Sequence, residues 1–110
     1  MERPVKPYVP SRSPCPVGRA SRVLGDRWVI LILREAFLGV DRFDGFMERL
    51  GISRATLSAR LGWMVDAGVL ERVPPAAKYA RYRLTEAGRA LAPVVDALRD
   101  WGDAWLPRAD

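Results

Sequence analysis

Leu50-Gly51-Ile52-Ser53-Arg54-Ala55-Thr56-Leu57-Ser58-Ala59-Arg60-Leu61 is the stretch that decides how this chain folds. Gly51 suits a tight turn whose backbone angles other residues resist, and Ser53 is placed to cap a following helix. That helix is expected to run to about Ala67. Its Leu57, Leu61, Met64 and Val65 share one face, leaving Ala55, Thr56, Ala59 and Arg60 on the other. Upstream, Phe43, Phe46, Met47 and Leu50 repeat at helical spacing. Two short helices joined by a glycine turn, the second polar and small-sided near its start, form the helix-turn-helix pattern.

Working outward, Gly68 closes the second helix of the pair. Val69 to Val73 reads as a strand, Pro74 to Lys78 as a loop and Tyr79 to Leu84 as a returning strand, so 69–84 is expected to form a wing. Thr85 is placed to cap a last helix over about 85–106, with Leu91, Val94, Val95, Leu98, Trp101, Gly102 and Trp105 along one stripe. A core facing one subunit does not need two tryptophans there, and the stripe is read as a dimer seam. Toward the N-terminus, a first helix is expected from Pro16 to Leu24, ended by Gly25, and a second, capped by Asp26, from Arg27 to Leu38. The second is apolar almost all round and is the expected buried centre. Residues 1–14, with Pro4, Pro7, Pro10 and Pro14, form an extended arm, and 15–110 the domain.

The fold class is therefore mainly α with a small β-wing, a dimeric winged helix-turn-helix. Its 110 residues fit one compact domain. With no histidine and a single cysteine, Cys15, no nucleophile–base pair can be named, and a thiolate zinc site and an internal disulfide are ruled out. No cofactor, metal or enzymatic activity is expected. Apolar runs are too short to cross a bilayer and no apolar leader is seen, so the expected location is the cytoplasm, away from membranes. Residues 1–83 hold 15 Lys and Arg against 8 Asp and Glu, whereas 84–110 hold 3 against 5. The basic body suits a polyanion, with the acidic tail turned elsewhere.

These features resemble the HxlR-type winged helix-turn-helix regulators, relatives of the MarR group. The resemblance spans Cys15 to Trp105 and is carried by Cys15-Pro16-Val17, Gly25-Asp26-Arg27-Trp28, Leu31-Ile32-Leu33-Arg34-Glu35, Arg42-Phe43 and Gly51-Ile52-Ser53. It continues through Leu57-Ser58-Ala59-Arg60-Leu61, Ala67-Gly68-Val69-Leu70-Glu71-Arg72, Tyr82-Arg83-Leu84-Thr85-Glu86-Ala87-Gly88 and Trp101-Gly102. It implies homodimers, joined through the first and last helices, that place paired recognition helices and wings on an inverted repeat in double-stranded DNA. It further implies that some members respond to small reactive molecules.

Carried onto this chain, the recognition helix over about 53–67 contributes Ser53, Arg54, Ala55, Thr56, Ser58 and Arg60, and the wing Lys78 and Arg81. Arg27 and Arg42, at helix starts, are expected phosphate anchors, structural ion pairing being the alternative. Cys15, at a helix N-terminus between two prolines, is a candidate redox-sensing residue for an oxidant or small-molecule effector, the alternative being a buried, inert small side chain. Trp63 falls outside the apolar face and is read either as packing on a partner's arm or as a further contact surface. The competing reading is a winged-helix module that binds a protein rather than specific DNA.

Overall fold

The computed structural model describes residues 8–109, so positions 1–7 of the expected arm lie outside the described range. Tyr8 to Ser13 carry neither helix nor strand. The order of elements is α1 (Pro16–Leu24), α2 (Arg27–Phe37), α3 (Phe43–Leu50), α4 (Arg54–Asp66), β1 (Leu70–Val73), β2 (Arg81–Leu84), α5 (Glu86–Arg89) and α6 (Ala92–Trp105).

Local chemistry sets most of these boundaries. Asp26 caps α2 by accepting from the N–H groups of Trp28 and Val29, at 2.8 and 3.2 Å, which satisfies donors that a helix start otherwise leaves bare. The Ser53 hydroxyl accepts from Thr56 N–H and caps α4 in the same way. Between α3 and α4, Gly51 takes the left-handed conformation (φ 63°) that the tight turn demands. Helix α2 stops one residue earlier than expected, leaving Leu38 as its exposed C-cap.

Helix α2 is the centre of the molecule. Its Val29, Ile32 and Leu33 pack with Phe46 of α3, Ile52 of the turn, Leu57, Leu61 and Met64 of α4, Leu70 of β1 and Val95 of α6. It also buries a charge. Glu35 receives ion pairs from Arg34, at 2.8 Å, and from Arg49, which ties α2 to α3 immediately before the turn. Burial pushes the Glu35 carboxyl up, but hydrogen bonds and positive charge from Arg49 and Arg34 outweigh it and hold the group below its ordinary 4.5.

The two strands pair antiparallel, with Leu70 opposite Leu84 and Val73 opposite Arg81. The hairpin is shorter than expected, because Tyr79 and Ala80 belong to the connection and not to the strand. Arg72 shapes that connection by donating to the carbonyls of Pro75 and Ala77, at 3.3 and 2.7 Å.

The single last helix expected over 85–106 is two helices. Pro93, in the first turn of α6, has no N–H to continue a helix from α5, and the chain breaks at Ala90 and Leu91. Thr85 caps α5 alone, accepting from Gly88 N–H at 3.0 Å. The break presses α5 onto the start of the wing, where a Cβ on Gly88 would stand 2.1 Å from the Val69 carbonyl oxygen. It also frees α6 to project: only Val95 is buried, while Val94, Leu98, Trp101 and Trp105 line one exposed side. Val17 on α1 is exposed as well.

Candidate nucleic-acid interface

Helix α4 is gripped on two sides rather than one, which corrects the expected split between its faces. Leu57, Leu61 and Met64 enter the main core, but Ala59 is also buried, at 3% exposure, and Thr56, Arg60 and Trp63 are half-buried. The open face is therefore narrow. Arg54, Ala55 and Ser58 are exposed, and Arg54 and Ser58 stand one helical turn apart. Ser53 is exposed too, but its hydroxyl is engaged in the cap and in a 2.9 Å bond to the Thr56 hydroxyl.

A groove of about 560 Å³ runs from the start of α3 and α4 to the wing. Arg42, Arg54, Arg72 and Lys78 line it together with Phe43, Tyr79 and Tyr82, against one carboxylate, Asp44. Aromatic rings steady the cations. The Arg54 guanidinium lies 5.2 Å from the centre of the Phe43 ring, Arg72 lies 5.9 Å from Tyr82, and the Lys78 ammonium 5.4 Å from Tyr79. Tyr79, 78% exposed in the wing connection, and Arg72 are not among the DNA contacts expected from the sequence. Adjacency to Lys78 was the available signal for Tyr79; for Arg72 there was none, since its bonds run to backbone carbonyls of a loop whose path only the fold reveals.

The residues expected to meet DNA thus separate. Arg42, Arg54 and Lys78 converge on the groove. Arg81 is bound to Asp41 at 3.0 Å on the exposed side of β2. Arg60 is bound to Asp26 at 3.0 Å, so that the middle of α4 is tied to the cap of α2. Arg27 stacks on its neighbour Trp28, 4.6 Å from the ring centre. Cys15 is exposed at the N-cap position of α1, and its N–H donates to the Ser13 hydroxyl at 3.2 Å. Trp63 meets the arm of its own chain, edge to face with Tyr8 at 5.0 Å.

A helical body, a glycine turn between α3 and α4, and a two-stranded wing beside a cationic groove define the winged helix-turn-helix class. The family model for HxlR-like helix-turn-helix proteins matches residues 23–110. The chain belongs to the HxlR-like helix-turn-helix family of transcriptional regulators.

Among relatives, an uncharacterised HTH-type transcriptional regulator of Mycobacterium tuberculosis is 51% identical over 96 residues, which cover 86% of this chain and 61% of that protein. The chain thus spans about three-fifths of the length of that relative. Among solved structures, PA1607, a candidate transcription factor, superposes with a TM-score of 0.83 at 42% identity, covering 90% of this chain and 70% of that one. The reduced form of the transcriptional regulator YodB from Bacillus subtilis superposes with a TM-score of 0.70 at 30% identity, covering 89% of this chain and all of that one. YodB has also been solved in a quinone-bound form.

Proposed function

We propose that this chain is a sequence-specific, double-stranded-DNA-binding regulator that acts as a homodimer on an inverted repeat. The observation that carries the reading is the convergence of Arg42, Arg54 and Lys78 on one groove beside the exposed face of α4. In this reading Arg54 and Ser58 reach base edges in the major groove, with Ala55 small enough to allow close approach. Arg42 and Lys78 neutralise flanking phosphates, and Tyr79 extends the wing tip. Arg60 and Arg81, already held by carboxylates, orient α4 and the wing instead.

The dimer is supported by the exposed stripe of Val94, Leu98, Trp101 and Trp105 on α6, an apolar face of the kind that a second copy covers. Among the described residues no helix is long and apolar enough to cross a membrane. A regulator of this kind works where the DNA is, in the cytoplasm.

Effector control is a further part of the reading. The exposed thiol of Cys15 and the likeness to YodB, solved with a bound quinone, support Cys15 as an oxidant- or electrophile-sensing residue. Two such thiols, one from each subunit, would join as a disulfide by passing two electrons and two protons to the oxidant. Replacing Cys15 with Ser should leave DNA affinity in reductant unchanged and abolish its response to diamide. An unaltered diamide response in Cys15→Ser rejects this role.

Salt titration of duplex binding separates this function from a protein-binding module. Affinity that falls steeply as salt rises reports phosphate contacts and released counterions. Affinity that is weak and flat with salt would contradict the DNA reading.

A further inference from the structure

A second recess lies apart from the groove, between α1, α2 and α4. It has a volume of about 510 Å³, within the range of small-molecule sites, and its walls include Arg22, Asp26, Val29, Ala59, Arg60 and Trp63. The back is apolar: Val29 is fully buried and Ala59 nearly so. Alanine at this position leaves open the space that a longer side chain would fill. The Trp63 indole is among its walls, and the Tyr8 ring meets that indole edge to face at 5.0 Å.

The rim carries two cations against one carboxylate. Asp26 divides its oxygens: Oδ1 caps α2, while Oδ2 accepts from Arg60 Nε at 3.0 Å. Arg22 Nε donates to the Val9 carbonyl at 2.7 Å, and no described carboxylate pairs with Arg22. These bonds use only the Nε of each arginine, so the terminal amino groups can serve a further acceptor. An indole in the wall, an apolar back and an excess of guanidinium together match one kind of ligand.

We propose that this cleft binds a small aromatic carboxylate, its ring against Trp63 and its carboxylate on Arg60 and Arg22, in competition with Asp26 Oδ2. Because Oδ1 alone caps α2, the exchange leaves that cap in place. Arg60 and Trp63 both belong to α4, so an occupant acts directly on the helix whose open face carries Arg54 and Ser58. The binding site itself does not depend on the DNA reading; only its regulatory consequence does.

The test is calorimetric titration of the full chain with 2-naphthoate and with its uncharged counterpart, 2-naphthamide. The acid should bind about tenfold more tightly than the amide. Asp26→Asn keeps a capping oxygen but removes the competing charge, and should tighten naphthoate binding several-fold. Arg60→Gln should abolish the preference for the acid. Thermal melts establish that each variant is folded, and should Arg60→Gln fail to fold, Asp26→Asn decides. Absence of naphthoate binding at millimolar concentration, equal binding of acid and amide, or unchanged affinity in Asp26→Asn would each overturn the proposal. None of these readouts contains DNA, so failure here is distinct from failure of the regulator reading.

Discussion

Arg54 and Arg60 sit on one helix, but its winding turns the first toward the groove and the second toward Asp26. Arg54→Ala should therefore cost about 1–3 kcal/mol of specific DNA binding with little loss of stability, measured by fluorescence anisotropy and thermal melting. Lys78→Ala should instead weaken binding to all sequences alike and lower the salt slope by about one. Glu35 supplies a pH-dependent term. Its carboxyl is lowered in the folded chain, so its stabilisation is present above the ordinary 4.5 and is lost as pH falls through the folded-state value. Denaturant melts of Glu35→Gln should show a loss of about 1.5–3 kcal/mol at neutral pH, shrinking as the pH drops below that point. Roles of this kind were only partly legible in the sequence. Ser53 and Asp26 announce themselves as caps because capping is local. The Asp26–Arg60 pair joins positions 34 apart, and the Glu35–Arg49 pair positions 14 apart, so neither partner can be chosen without the fold.

Elements defined by local signals are the ones the sequence describes best. The glycine turn, the start of α4 and the end of α1 stand where the residues put them, because Gly51, Ser53 and Gly25 act on their immediate neighbours. The apolar spacing of the last helix runs on through Pro93, but a proline there outweighs periodicity and divides it into α5 and α6. The strands are shorter than the sequence suggests, since Tyr79 has strand-like chemistry but lies with Ala80 in a connection organised by Arg72. The break before α6 lets α5 pack against the wing through Gly88. Gly88→Ala should therefore destabilise the fold by about 1–3 kcal/mol in denaturant melts, since the new methyl meets backbone that cannot yield as a flexible side chain would. A loss within experimental error would mean that α5 does not press on β1 as described.

At the scale of the whole molecule, the core built on α2 positions two surfaces, the cationic groove and the apolar side of α6. The composition indicated both, through the basic body and the terminal tryptophans, but not that α6 docks on its own domain mainly through Val95 and leaves its other apolar residues exposed. Leu98→Asp should convert a dimer into a monomer in sedimentation velocity, leave the thermal melt of the domain nearly intact, and reduce operator affinity by about a hundredfold or more through loss of the second half-site. The central claim, sequence-specific recognition by a dimer, is tested most directly by selecting bound duplexes from a random DNA pool at two salt concentrations. Enrichment of an inverted repeat, with affinity falling steeply at the higher salt, is the predicted result. Absence of any enriched sequence at either salt, with or without reductant, would contradict it.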